Sequence, residues 1–431
     1  MINIKDYRLN PQKYQIGAQQ KGVTIDWPAF EALDAELKMQ TSALETLLAR
    51  RNSLSKDIEH ALSAKNDPQP LIQEVKILKQ SIESLQRVVD ELRQKFDGYL
   101  YQIPVPALSE VPVGQSDQEN VVVSTVGDKP LFTFTPRPHR EILDDVGLLD
   151  QERAVKLSGS RFQIMKGQLA RLELALVQWA VDLLTDKGFT FVMVPQLVKE
   201  DALRTTGFLP NDAMNIYRVN PAAPHPQDVW EEDDLYLIGT AEVALVSQHM
   251  HETFTSDQLP RRYVGFSSCY RREAGTYGKD TKGLIRVHQF EKVEMVSFVH
   301  PDDSHKEHEF LVALEEEVFQ ALRIPYQKLL ICTGDLGAPA AKKYDLEAWF
   351  PGIGRYIEVT STSNTLDFQT RRGEIKVATD SGPIYAHALN GTAVALGRAL
   401  AAIVENYQQE DGTVLIPEVL RPYMRQQTHL F

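Results

Sequence analysis

Two apolar seams with heptad spacing dominate the first quarter of the chain. The first runs through Phe30, Leu33, Leu37, Gln40, Leu44, Leu47, Arg51, Leu54, Ile58 and Ala61, its steps alternating between three and four. Asn66, Asp67, Pro68 and Pro70 interrupt it. The second runs through Leu71, Val75, Leu78, Ile82, Leu85, Val89, Leu92 and Phe96 without an error. This periodicity predicts two helices joined by a short proline-containing turn and packed antiparallel as a coiled-coil hairpin. Asp26 and Pro28 suit the cap and first turn of the first helix. At 1.5 Å per residue each helix is roughly 40–55 Å long. Such a hairpin buries only a narrow stripe, so the heptads alone fit either a dimerisation coiled coil or a lever that reaches an extended ligand. Arg50, Arg51, Lys56, Lys76, Arg87 and Arg93 place cations along it, interspersed with acids.

Residues 98–140 change character. Gly98, Pro104, Pro106, Pro112, Gly114, Pro130, Pro136 and Pro138 break any long helix, so a linker is expected. Beyond it, helical patterns at 168–184, 304–322 and 392–407 mix with strand patterns at 189–195, 236–238, 263–270, 327–332 and 355–360. Strands do not alternate with helices in a βαβ rhythm. The reading is an α+β fold with an antiparallel-rich sheet. The division expected is 1–100 for the domain with the hairpin, 101–135 for the linker and 136–431 for the second domain.

Residues 270–298 concentrate the candidate chemistry. They read as two strands around a polar, glycine-bearing loop. Arg271 and Glu273 lie two apart near the end of the first strand. Arg286, His288, Phe290, Lys292 and Glu294 alternate along the second, so each set shares a face. The opposite face carries Ile285, Val287, Val293 and Met295. Cations, carboxylates and one aromatic ring on one face exceed what a solvated hairpin requires, although the loop tip with Lys279 and Lys282 would look the same in either case.

Composition narrows the field. The net charge of −13 excludes a general nucleic-acid coat but not a local basic surface. Two cysteines, Cys269 and Cys332, make neither a disulfide framework nor a four-thiolate zinc site, and read as small buried residues. Neither a membrane-spanning run nor a secretory leader is recognised, so no membrane association and a cytoplasmic location are expected.

Several motifs, in order, resemble the seryl-tRNA synthetase family, class II aminoacyl-tRNA synthetases of the bacterial type. Arg51-Asn52 with Ser55-Lys56 resembles that family's helical arm, and 187–195 its motif 1. Thr240-Ala241-Glu242 resembles its serine-binding loop, and 270–298 its motif 2 with the extension RVHQFEKVE. Glu358-Val359-Thr360-Ser361 resembles its Glu-x-x-Ser segment. Asn390-Gly391-Thr392 through Gly397-Arg398 resembles motif 3.

The resemblance implies ATP-dependent attachment of L-serine to serine tRNA through a seryl-adenylate, releasing AMP and pyrophosphate, with selenocysteine tRNA as a second acceptor. It implies a homodimer, a tRNA-binding arm and a class II catalytic domain. Arg271 and Arg398 are the implied catalytic residues. ATP would be held by Arg271, Arg272, Glu273, Arg286, Val287, Phe290, Glu358, Val359, Thr360, Ser361 and Arg398. Serine would be held by Thr240, Ala241, Glu242, Arg271, Glu294, Asn390 and Thr392, and Mg²⁺ by Glu358 and Ser361. The residue types suit these tasks. Guanidinium forks match phosphate and carboxylate oxygens, Phe290 offers adenine a ring, and hard oxygens suit Mg²⁺. Thr392 also fits a helix cap, and His288 a structural role. The chain departs from the family at Arg272, where a small serine is usual, and at Thr360 and Thr362, whose methyl groups are expected near the nucleotide. Arg272 should point away from Arg271. Two other classes share features with this pattern: a non-enzymatic RNA-binding paralogue, and an amino-acid:carrier-protein ligase. Relatives of the latter kind lack the arm.

Overall fold

The structure, a computed structural model, describes residues 1–219, 235–274 and 283–431. It divides into two compact units, Val23–Ile103 and Met1–Gly22 with Pro104–Phe431.

The smaller unit is the expected hairpin. Helix α1 (Trp27–Ser63) starts where Asp26 accepts a hydrogen bond from the Ala29 amide at 3.1 Å, with Pro28 in the first turn. Helix α2 (Gln69–Gln102) follows the proline turn. Phe30 stacks on Phe96 with centroids 5.2 Å apart, and Arg50 pairs with Glu74 at 2.8 Å. Residue numbers therefore rise along one helix as they fall along the other, which is the antiparallel arrangement. Phe30, Leu37, Leu44 and Leu54 of α1 and Val89, Leu92, Phe96 and Leu100 of α2 are buried. The seam from Leu71 to Leu85 is only half-buried, because two helices alone cannot enclose it.

The larger unit carries an eight-stranded sheet among the described residues. Its strands are β1 (Val121–Val126), β2 (Thr190–Met193), β3 (Arg261–Tyr270), β4 (Gln289–Val299), β5 (Tyr326–Leu330), β6 (Lys342–Phe350), β7 (Arg355–Asn364) and β8 (His387–Ala395), in the order β1-β5-β6-β7-β8-β4-β3-β2. The β2–β3 pair is parallel and every other pair antiparallel, so the expected antiparallel-rich α+β class holds. Helices α3 (Gly167–Asp186), α4 (Glu242–Ser247), α5 (Ser304–Ala321), α6 (Phe368–Arg372) and α7 (Leu396–Asn406) surround it. Leu172 and Leu176 of α3, Leu311 and Val318 of α5, and Leu400 and Ile403 of α7 share one core with Val293, Met295 and Leu346 of the sheet. Burying those aliphatic side chains stabilises the unit by roughly 1.5–3 kcal/mol each before entropy is subtracted.

Two expectations shift. The compact units do not follow 1–100, 101–135 and 136–431. Residues 1–22 group with the larger unit. The proline-rich 101–135 stretch is packed, with Val105 and Val111 buried, β1 paired to β5, and Asn120 donating to Asp335 at 2.8 Å. Proline limits helix but not an edge strand. The helix expected from 392 begins at Leu396 instead. Thr392 lies inside β8 opposite Glu294, so it is not a helix cap. Small residues such as Ala393 and Ala395 fit either structure, and pairing with β4 decides it.

Candidate active site

A cavity of about 390 Å³ lies against the sheet, walled by β4, β7, β8 and the segments leading into α4 and α7. It gathers Thr240, Glu242, Arg271, Glu273, Arg286, Val287, Phe290, Glu294, Glu358, Val359, Thr360, Ser361, Asn390, Thr392 and Arg398. Two of the residues implied by sequence are not on its wall. Ala241 is buried in the apolar cluster of Leu245 and Phe254. Arg272 is absent from the lining, and its backbone amide donates to the Asn215 carbonyl at 2.9 Å. It follows Arg271 immediately, so it takes the other side of an extended chain.

One end of the cavity is built for a small polar group. Glu242 stands at the start of α4, its amide bonded to the Thr240 hydroxyl at 3.2 Å. One Glu242 carboxylate oxygen accepts from the Gln369 amide at 2.7 Å and from the Asn390 amide at 3.0 Å. Gln369, from α6, is fully buried and also donates to the Thr206 carbonyl at 3.1 Å. Burial, and then repulsion from Glu294, push the Glu242 carboxyl up to about 7, although Gln369, Lys292 and Arg271 oppose the rise. Glu294 on β4 contacts the ammonium of Lys292 and accepts from the Thr392 hydroxyl at 3.3 Å. Lys292 in turn donates to Thr392 at 3.2 Å. A buried lysine here is stable because its charge is paired.

The other end is cationic. The Arg271 guanidinium lies 5.4 Å from the Phe290 ring centroid, and its Nε donates to the Gly239 carbonyl at 3.4 Å. Arg286 pairs with Glu273 at 3.4 Å. Arg398, in the first turn of α7, donates to the Glu358 carbonyl at 2.8 Å and lies 3.3 Å from its carboxylate. The Glu358 side chain is 47% exposed to the cavity. Against the desolvation of the cleft, Arg398, Lys343 and Arg271 hold its carboxyl below the ordinary value. Asp345, across from Ser361 on β6, is pushed up to about 7 by burial, with Lys343 opposing.

The motif 2 alternation holds only in part. Phe290, Lys292 and Glu294 share the cavity face, as expected within β4. The segment before Gln289 is not strand, and there the period of two fails. Ile285 and Val287 line the cavity beside Arg286, whereas His288 does not. His288 Nδ1 bonds the Arg271 carbonyl at 2.9 Å and its ring lies 5.4 Å from that of Phe162, so it holds the hairpin. Thr360 and Thr362 send their hydroxyls to the two oxygens of the buried Glu315 on α5, Thr360 at 2.8 Å. Thr362 is not on the cavity wall, contrary to the expected methyl crowding. The expected tip residues Lys279 and Lys282 lie outside the described residues. Lys343 and Ser363 line the cavity, and Gln369 supports it, without having been singled out. Gly397, from the stretch that resembles motif 3, also lines it. A Cβ there would fall 2.8 Å from the Leu284 carbonyl, so only glycine fits.

The tRNA synthetase class II core domain (G, H, P, S and T) pattern matches residues 217–407. Fold and site together define a class II aminoacyl-tRNA synthetase. The Seryl-tRNA synthetase N-terminal domain pattern matches residues 1–106. A Serine–tRNA ligase of Thermodesulfovibrio yellowstonii is 42% identical over 98% of this chain and 99% of its own. That of Bacillus subtilis is 41% identical over 98% of each. The crystal structure of seryl-tRNA synthetase from Pyrococcus horikoshii complexed with ATP superposes with a TM-score of 0.88 at 37% identity, covering 100% of this chain and 99% of that one. The chain belongs to the seryl-tRNA synthetase family of serine–tRNA ligases.

Proposed function

We propose that the cavity joins L-serine to ATP as seryl-adenylate, releasing pyrophosphate, and then passes serine to serine tRNA, releasing AMP. The observation that carries this reading is one cavity with opposed ends: Glu242, Glu294, Asn390 and Thr392 at one, and Arg271, Arg286, Arg398 and Phe290 at the other. In the first step a serine carboxylate oxygen attacks the α-phosphorus and the bond to pyrophosphate breaks. No protein nucleophile or base is required, so catalysis is positioning and charge stabilisation. Arg271 is the residue able to fork onto both the serine carboxylate and the α-phosphate. Arg286 and Arg398 take the phosphate tail. Phe290 stacks on adenine and Glu273 accepts from its amine. Glu242 and Glu294 receive the ammonium and hydroxyl of serine, with Thr240, Asn390 and Thr392 completing the pocket. A site that hydrogen-bonds a hydroxyl rejects alanine because its own groups would go unpaired.

Glu358 and Ser361 both face the cavity, and cations hold Glu358 in its ionised form, so the pair fits a hard cation such as Mg²⁺. Bound there, Mg²⁺ would offset the charge on the phosphates. The ATP named in the solved relative supports the choice of nucleotide.

We assign tRNA binding to α1 and α2, homodimer formation to the larger unit and a cytoplasmic site of action. Val121, Val122 and Val123 on β1, with Phe191 and Met193 on β2, leave apolar residues exposed on both edge strands, which supports dimerisation. Sedimentation tests it. Selenocysteine tRNA as a second acceptor rests on family resemblance, and charging of that transcript tests it. For the first step the test is serine-dependent exchange of pyrophosphate into ATP. Its absence with purified protein would refute the reading.

A further inference from the structure

Arg286 sits on a stretch outside the sheet ladder, since β4 begins only at Gln289. Leu284, Ile285 and Val287 of that stretch are nonetheless buried. Its later end is tied to backbone. The His288 amide donates to the Arg161 carbonyl at 3.0 Å, and the His288 carbonyl accepts from the Arg271 amide at 2.9 Å. Its earlier end is tied to side chains. The Leu284 amide donates to Nε2 of His139 at 3.2 Å. An amide N–H can only donate, so Nε2 carries the lone pair and the imidazole proton sits on Nδ1. Nδ1 lies 2.7 Å from Glu405 Oε1 and donates to it. Glu405 is itself fixed. Its Oε1 also accepts from the His139 amide at 3.0 Å, and its Oε2 from the amides of Gly352 and Ile353 at 2.8 and 3.2 Å. His139 opens the short helix His139–Asp145, and both it and Glu405 are buried away from the cavity wall. Gly283 has φ +84°, and a Cβ there would collide with His139 Nε2, so the chain meets the imidazole this closely only as glycine. Glu405 stands in the last turn of α7, and Arg398 in its first turn donates from Nε to the Ile285 carbonyl at 3.3 Å. One helix thus anchors Leu284, through His139, and Ile285, and Arg286 comes next.

We propose that His139 is a positioning residue for the activation step: its imidazole, oriented by Glu405, holds the Leu284 amide and thereby sets Arg286 for the phosphate tail of ATP. The inference rests on the ligase reading, which gives Arg286 that contact, and adds a residue that touches no substrate. A neutral imidazole suits the task because it accepts at one edge and donates at the other. A leucine of similar bulk does neither, and would leave the buried Leu284 amide without its acceptor. An arginine two residues from its anchor moves when the anchor moves, and a small misplacement of a group that grips substrate costs binding and rate.

The experiment compares full-length wild type with His139→Leu and His139→Gln in pyrophosphate exchange, each substrate varied in turn. Calorimetry without serine gives ATP affinity separately. His139→Leu should raise the KM for ATP about 5- to 20-fold, part of the worth of one charge-assisted hydrogen bond, and weaken ATP binding by the same factor. The KM for serine should stay within about 2-fold. His139→Gln keeps an acceptor for the Leu284 amide and should recover most of the loss. In an Arg286→Ala background, His139→Leu should add less than about 2-fold to the KM for ATP, because both changes act through one group. A merely structural role would lower the melting temperature and leave both KM values in place well below it. That outcome would overturn the proposal and leave the ligase reading intact. So would an equal rise in both KM values, or a loss in His139→Gln as large as in His139→Leu. Should His139→Leu fail to fold, Gly283→Ala pushes the chain off the imidazole from the other side. The KM for ATP should then rise with that for serine unchanged, and an unchanged KM for ATP overturns the proposal. No exchange in the wild type would instead remove the ligase reading, and the proposal with it.

Discussion

Glu242→Gln is the sharpest perturbation of the serine end. In the native site one carboxylate oxygen is committed to Gln369 and Asn390, at 2.7 and 3.0 Å, leaving the other for substrate. Glutamine keeps the first oxygen and its two donors, so the pocket should hold its shape. It replaces the second oxygen with an amide NH₂, a donor facing the substrate's ammonium. The loss is one charge-assisted hydrogen bond in a buried site, about 1.5–3 kcal/mol. The KM for serine should rise roughly 10- to 150-fold, while that for ATP changes less than about 3-fold. The assay is pyrophosphate exchange with each substrate varied in turn. A pH series adds an independent readout. Because the Glu242 carboxyl is raised to about 7, its charged form grows as pH rises through that value, and the KM for serine should fall over the same interval. The variant should lose this limb. The sign for stability is opposite. A carboxyl raised in the folded state binds more protons than in the unfolded chain between its ordinary value and about 7, so its contribution weakens as pH rises across that window. Equal loss of serine and ATP affinity, or an unchanged pH limb in the variant, would refute the assignment.

Glu294→Ala should weaken serine binding far more than ATP binding in the same exchange assay, and equal losses would contradict its role. Deleting residues 30–97 should leave serine activation largely intact and abolish efficient tRNA charging; unchanged charging would return the hairpin to dimerisation or another partner. Glu405→Ala should lower stability by at least about 3 kcal/mol in chemical denaturation, because buried Glu405 accepts from the amides of His139, Gly352 and Ile353 and contacts the His139 ring at 2.7 Å. A loss below about 1 kcal/mol would show those donors finding other partners.

How far the chain was legible follows from the range of each interaction. The hairpin arm was readable because a heptad is a local signal that needs no distant partner. Phe290, Lys292 and Glu294 were readable as one face because they lie within a regular strand. His288 was not, since the segment before Gln289 is not strand and the alternation fails there, although Arg286 still reaches the cavity as expected. The Glu242–Gln369–Asn390 network joins residues 127 and 148 positions apart, and no periodicity connects them. Glu315 shows the same limit. It sits in the run Glu315-Glu316-Glu317, which reads as a solvated helix face, yet it is fully buried and bonded to Thr360 and Thr362. Both threonine hydroxyls are turned to that carboxylate, although Thr360 also lines the cavity and Thr362 does not.

The central claim is that this cavity selects serine and delivers it to tRNA. Aminoacylation of serine tRNA, with each standard amino acid offered separately, tests it most directly. Serine should be esterified efficiently, and alanine, which lacks the hydroxyl and so leaves the pocket groups that bond it unpaired, should be charged at least about 10⁴-fold less well. Comparable charging with alanine, or no serine esterified to the tRNA, would contradict the account.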